Sequence, residues 1–376
     1  MTRAFAQRHR VASAFDTTEQ LLADQAIDAV YIDDRQLIKE QLMPRIQFEE
    51  LKAEFKRVLI KKGCDESSAD LSAQLMTQTS CDGVYSHGVN RFPRVIDYID
   101  KGYIDLKAKP TRVDGMGAFE RWDGNLGLGN VNAKLSMDRA IELARANGIG
   151  CVALSNTNHW LRGGSYGWQA ADAGCVGICW TNTQPNMPAW GARDRRIGNN
   201  PFVMAVPRHE GHVVVDIAMA QFSYGQMESS AMRGDLLPVP GGYDEQGQLS
   251  CDPKEIAKTW RVLPVGYWKG SSMSIVMDMI AAVLSGGRST VGVGKLGSDE
   301  YGLSQVFIAL DATRIAGEDY LASAISEAIE NIHGSARVDP DQPVLYPGER
   351  SMGYRKDNLA NGIPVGDELW ARIKAL

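Results

Sequence analysis

Between residues 119 and 223 the 376-residue chain alternates short strand-like runs with helical stretches and glycine-rich turns. No other feature narrows its folding choices more. Strands are expected over 119–122, 150–155, 176–181 and 213–219, with helices over 130–147 and 165–173. The flanks read differently. Phe48, Leu51, Phe55, Val58 and Leu59 mark one helical face that stops at Gly63, and Asp65 is placed to cap a second helix with Ala69, Leu75 and Met76 inward. After Trp268 the pattern is helical again, over 272–284 and 320–332, around one strand at 306–310. The expectation is an α/β (α+β) fold in two domains, which suits the length. Residues 116–270 form the α/β domain, and a discontinuous, mainly helical domain comes from 43–115 and 271–376.

Residues 1–42 stand apart. Asp16 with Glu19 has capping-box spacing before a short helix, and residues 29–32 read as a strand. This segment resembles part of the nucleotide-binding domain of the glucose-fructose/inositol dehydrogenase family. The glycine-rich turn that would give such a domain its phosphate site is missing, so no function is expected there.

Charge and composition exclude several classes. With 40 basic against 46 acidic residues and no long Lys/Arg run, nothing favours nucleic acid. The most apolar stretch, 275–284, is interrupted by Asp278 and too short for the roughly 30 Å of a bilayer core. No membrane span is expected. Six scattered cysteines without CxxC spacing read as reduced and buried. No secretory signal is recognisable, so the cytoplasm is the expected location.

Two of the six histidines sit in polar, glycine-containing loops, His87 in Ser86-His87-Gly88 and His159 in Asn156-Thr157-Asn158-His159-Trp160. Imidazole suits proton transfer near neutrality, and Arg91, four residues after His87, suits bidentate grip of a carboxylate. Together they point to reduction of a 2-oxo acid, with Ser86 and His159 as further substrate contacts. The bland readings are a satisfied structural histidine and surface ion pairs for Arg91 and Arg94. Asp216 interrupts an apolar strand, a costly place for an unpaired carboxylate, and is a candidate to orient His87 or to meet a cofactor ribose. Trp268 and Lys269 open a helix beside Gly270-Ser271-Ser272, an arrangement equally suited to an adenine and phosphate or to an ordinary capped turn. Two glycine runs are rejected as Rossmann fingerprints. GVGKLG at 292–297 follows a helix, and GNLGLGN at 124–130 has Asn132 where the third glycine belongs. Two rival readings remain open at this stage: a metal-dependent hydrolase using His87, His159 and Asp216, which lacks HxH or HExxH spacing, and a non-catalytic partner protein. No metal is expected.

The runs GVYSHGVNRFPR, NHWLRGGSYGWQAA, GICWTN, RIGNNP, LPVGYWKGSSMSIVMDMIA and SDEYGLSQVFIA resemble the type-2 malate/L-lactate dehydrogenase family, and the likeness extends over 48–376. The resemblance implies a non-Rossmann NAD-binding domain with a mixed β-sheet, a helical domain from both chain ends, and a homodimer with active sites near the subunit interface. It implies His87 as proton donor. It also implies cofactor contacts at His212, Val213, Val214, Val215, Asp216, Ile217 and Ala218, at Trp268 and Lys269, and at Gly348, Glu349 and Arg350. NADH is the expected cofactor ahead of NADPH. The expected substrate is a 2,3-diketo sugar acid, with malate-, lactate- or sulfolactate-type acids or a cyclic imino acid as the alternative. The chain departs from the family pattern in two places. The family's first residues correspond to Met43-Pro44-Arg45-Ile46-Gln47-Phe48, and the stretch 208–212 is one residue longer than in a close relative.

Overall fold

The computed structural model describes residues 43–376. The capping box at Asp16 and Glu19, the strand at 29–32 and His9 lie outside the described residues.

The helical face read from Phe48 becomes α1 (Phe48–Lys61), which buries Leu51, Phe55, Val58 and Leu59 completely. Asp65 caps α2 (Glu66–Cys81) by accepting from the Ser68 amide at 3.0 Å. The chain then makes two single turns, Tyr85–His87 and Val89–Arg91, and enters α3 (Phe92–Asp100) with Pro93 in the first turn, where its missing N–H costs nothing. Phe55 and Phe92 stack at 4.2 Å. The chain ends meet here. Arg45–Ile46 pairs antiparallel with Ile363–Pro364, and Trp370 and Ile373 of the last helix join the same apolar cluster.

Seven strands form the central sheet: β1 (Thr111–Met116), β2 (Phe119–Asp123), β3 (Ile149–Thr157), β4 (Cys175–Thr181), β5 (Phe202–Val206), β6 (Val213–Ile217) and β7 (Leu303–Asp311), in the order β1-β2-β3-β7-β4-β5-β6. Only β2 and β3 run parallel, joined by the crossover helix α4 (Gly129–Asn147); every other pair is antiparallel. This is a mixed sheet and not a Rossmann fold. β7 lies at its centre, so successive residues face opposite cores. Phe307 packs with Val152, Cys179, Trp160 and Tyr166 beneath α4 and α5 (Gly164–Asp172), while Val306 packs with Trp180, Met277 and Ala281. The last two belong to a long apolar helix, α6 (Trp268–Ser285), on the other face.

Against the domain boundaries expected from sequence, β1 crosses 115/116 and β7, from within 271–376, supplies the middle of the sheet. A strand buried on both faces takes its place from partners far back in the chain, which a local pattern does not reveal. The GNLGLGN run does join β2 to α4, but Asn132 fills its turn, donating to the Gly124 carbonyl at 2.8 Å and the Thr157 hydroxyl at 3.1 Å.

Candidate active site

A cavity of about 810 Å³ opens between the helical cluster and the sheet, lined among others by Ser86, His87, Arg91, His159 and Asp216. The structure thus brings together residues that lie up to 130 positions apart in sequence. His87 sits in the turn after α2 with its Nδ1 2.9 Å from the Ser86 hydroxyl. The His159 ring stacks on it at 5.9 Å between centres. His159 Nδ1 accepts from the Leu161 amide at 2.9 Å, so in the neutral ring the proton is on Nε2. Asn156 and Leu161, on either side of His159, both hold positive φ (52° and 67°), a strain of the kind stored at functional sites.

Burial pushes the His87 imidazole down to about 4, helped by the charges of Arg91 and Arg162. His159 is lowered well below its ordinary value, by burial first and then by Arg91. Arg91 is half-buried, and its side chain makes no hydrogen bond or ion pair with a described residue. Arg94, by contrast, donates to the Tyr98 hydroxyl at 3.0 Å. Behind the two arginines lies the buried carboxylate of Glu300, which accepts from the Gln184 amide at 3.0 Å and is pushed up by burial.

Asp216 reaches the cavity from β6, but its partner is not His87. The carboxylate accepts from the Gly164 amide at the start of α5, at 2.7 Å, and so ties β6 to that helix. Burial raises its affinity for a proton, and Arg162 opposes the rise.

The expected cofactor contacts fall into three places. Val213, Val214, Val215 and Ile217 with Asp216 form β6, the edge strand of the sheet, and Ala218 follows in the cavity wall. The Val214 amide donates to the Pro347 carbonyl at 2.8 Å, which sets Gly348 against this strand at the head of a helix, Glu349–Asn361. Glu349 is held by the Tyr346 amide and by His333, each at 3.0 Å, and Arg350 is exposed. His212 lies in a second cavity of about 530 Å³, bonded to Asp172 at 2.8 Å and 5.3 Å from the Trp168 ring. Trp268 and Lys269 are exposed in the first turn of α6 and line neither cavity. The Val265 amide, just upstream, bonds the Met219 carbonyl at 2.8 Å and ties that turn to the end of β6.

Sequence reasoning missed Arg162, Asp82, Thr183, Asn186 and Arg195, all of which surround or support the cavity. The one available signal was the NHWLRGG run, which placed Arg162 three residues after His159. Among the described residues no three His, Cys, Asp or Glu side chains gather as metal ligands, and no helix is long and apolar enough to cross a membrane.

The cavity between the helical cluster and the mixed sheet thus holds two stacked imidazoles near a guanidinium without a direct partner among the described residues. Comparison with known proteins identifies the chain as an oxidoreductase acting on a CH–OH group. The chain belongs to the malate/L-lactate dehydrogenase family, which it matches over residues 46–374. It is 48% identical over 332 residues to 2,3-diketo-L-gulonate reductase of Escherichia coli strain K12, covering 88% of this chain and all of the relative. Malate dehydrogenase from Pyrococcus horikoshii OT3 superposes with a TM-score of 0.79 at 27% identity, over 88% of this chain and 93% of the other. For sulfolactate dehydrogenase from Methanocaldococcus jannaschii the TM-score is 0.80 at 26% identity, over 88% and 96%.

Proposed function

We propose that this protein reduces 2,3-diketo-L-gulonate to 3-dehydro-L-gulonate at the expense of NADH, used in preference to NADPH, with His87 as proton donor. The observation that carries this reading is the Arg91 guanidinium beside His87, which makes no hydrogen bond or ion pair with a described residue. Glu300 acts on this half-buried cation only through space, without a direct ion pair, and a substrate carboxylate bound bidentately would satisfy its hydrogen-bond donors. The 48% relative supports the substrate.

The residues present fit a nicotinamide dinucleotide. The outer edge of β6 carries the backbone of Asp216 on the same side as Val214, Gly348 begins a helix beside it, and the exposed Trp268 ring follows beyond Met219. When bound, the reduced nicotinamide supplies the hydride that goes to C2 of the substrate.

The chain's own residues do the rest. Arg91 binds and orients the carboxylate. The charge brought in by that carboxylate offsets the arginine field that adds to burial in disfavouring the His87 proton, so the imidazole holds a proton more readily as the substrate arrives. Ser86 holds Nδ1, and the proton passes from His87 to the developing alkoxide on C2. His159, with its proton on Nε2, donates a hydrogen bond to a substrate oxygen.

The test is NADH oxidation with 2,3-diketo-L-gulonate beside pyruvate and oxaloacetate, repeated with NADPH and with a chain starting at Met43. A kcat/KM for the diketo acid no higher than for the other two would sink the substrate assignment. It would favour malate- or sulfolactate-type acids, to which the named structural neighbours point. We also read the protein as a homodimer. In support, α6 exposes Met273, Val276, Ile280 and Val283 along one stripe at helical spacing.

A further inference from the structure

Behind the cavity a charged chain reaches Asp216 from the helical cluster, and neither proton donation nor carboxylate grip uses it. Asp82, at the end of α2, is only 2% exposed. Its carboxylate accepts from Arg355 Nε at 2.7 Å and Nη2 at 2.8 Å, from Gln78 Nε2 at 2.8 Å, and from Arg162 Nη1. Arg162 is 6% exposed, lines the cavity, and has no other acceptor among the described residues. A Cβ at Gly164 would lie 3.3 Å from Arg162 Nε and 2.9 Å from Asp216 Oδ2. The guanidinium and the Asp216 carboxylate therefore flank the same point, and only glycine leaves room for both.

We infer that Asp82 is a positioning residue of this site: it holds Arg162 beside Asp216 as the counter-charge of that carboxylate. The groups around Asp216 leave this task to Arg162. The Gly164 amide comes from α5, as does the Tyr166 phenol; the Cys179 thiol comes from β4. Burial keeps both the phenol and the thiol neutral, so Arg162 is the one cation acting on Asp216 among the described residues. Its own place is fixed from the far side. Asp82 is anchored by Arg355, whose guanidinium lies 4.6 Å over the Trp168 ring, on the helix that begins at Gly348–Glu349. A carboxylate held by two arginines keeps one of them in register through charge-assisted hydrogen bonds.

The kinetic part of the test rests on the reductase reading; the spectroscopic part does not. The Asp216 carboxyl carbon is followed by NMR against pH in the cofactor-free protein, assigned through Asp216→Asn, in the wild type, Asp82→Asn and Arg162→Gln. In both variants the midpoint is expected to rise by about one pH unit, about tenfold in the proton equilibrium. The acid limb of kcat/KM should follow in the same direction, a movement that mere loss of stability does not produce. If Asp82→Asn does not fold, Asp82→Glu displaces the carboxylate by one methylene and should give a shift of the same sign. An Asp216 midpoint that stays put in either position's variants, or an unmoved acid limb in an active enzyme, overturns the inference. A wild type without 2-oxo acid reductase activity whose midpoint still moves would sink the reductase reading and leave the positioning role standing.

Discussion

The His87 and His159 rings lie 5.9 Å apart with 27° between their planes, and Arg91 bears on both. Neither ring is charged near neutral pH in the free protein, because burial and then Arg91 favour the neutral form. A proton donor that holds no proton is resolved by the substrate itself. An anion on Arg91 offsets that repulsion, the part of the depression that burial does not cause, and raises the His87 pKa from about 4. Binding of a non-reacting carboxylate such as oxamate to the NADH-loaded protein at pH 7 should therefore take up a fraction of one proton. Calorimetry in buffers of different ionisation enthalpy reads that number directly, and His87→Gln should abolish it. Zero uptake in the wild type would remove the substrate-triggered protonation.

Substitution should separate the two roles in the cavity. His87→Ala is expected to lower kcat by about 10²–10⁴, the usual weight of general acid catalysis, while the Kd for NADH changes little. Arg91→Lys keeps the charge but loses the bidentate fork, so KM should rise by about tenfold or more with a smaller change in kcat. Steady-state kinetics with NADH fluorescence titration distinguishes these patterns. Equal damage to NADH affinity in both variants would assign them to the cofactor instead.

Asp82 also contributes to stability. Burial would raise its pKa, but Arg355 and Arg162 overcome that and hold it below the usual carboxylate value. A carboxylate depressed in the folded state stabilises above its unfolded pKa of about 3.9 and loses that contribution as pH falls through its folded value. Asp82→Ala, which leaves two guanidiniums without their anion, should cost about 3–5 kcal/mol at pH 7. The gap in Tm between wild type and variant should be widest near neutrality and shrink below about pH 4. A pH-independent gap would mean that packing, not charge, is what Asp82 supplies.

Gly150 marks the closest approach of β3 to α4. A Cβ there would sit 2.0 Å from the Ala140 carbonyl oxygen and 2.8 Å from the Ala144 amide nitrogen, both backbone atoms that cannot swing aside. Gly150→Ala should destabilise by about 1–3 kcal/mol through overpacking, seen as a lowered denaturation midpoint with an unchanged slope.

Helices that bury one face announced themselves: 130–147 became Gly129–Asn147 and 165–173 became Gly164–Asp172. β1 escaped because nearly all of Thr111–Met116 faces solvent, which erases the alternation that marks a half-buried strand. β7 was recognised as a strand, but nothing local says that it lies between β3 and β4, whose partners Val152 and Cys179 stand far back from Phe307. In the site, His87 and Arg91 were visible because only four positions separate them, on two successive single turns. Arg162 was not, since its meaning comes from Asp82, 80 positions earlier. Asp216 drew notice as a carboxylate in an apolar strand, but its partner is a backbone amide, and backbone donors leave no mark on composition.

The stripe on α6 gives the last prediction. Met273, Val276 and Val283 are 47%, 52% and 76% exposed, while Met277 and Ala281, on the flank of the helix turned toward the sheet, are buried in the core. A helix that presents apolar residues on an outer face as well as toward its core normally has that outer face covered. A second copy of the chain, which the family resemblance implies, would bury the outer stripe by apposing α6 with its counterpart around a two-fold axis. Each substitution would then act twice, once per subunit. Val283→Glu places two like charges near that axis and should shift the protein from dimer to monomer in sedimentation velocity, leaving the helix intact by circular dichroism. Because the turn carrying Trp268 and Lys269 opens the same helix, NADH affinity should fall with dissociation. A wild type that sediments as a monomer at micromolar concentration would end the dimer reading.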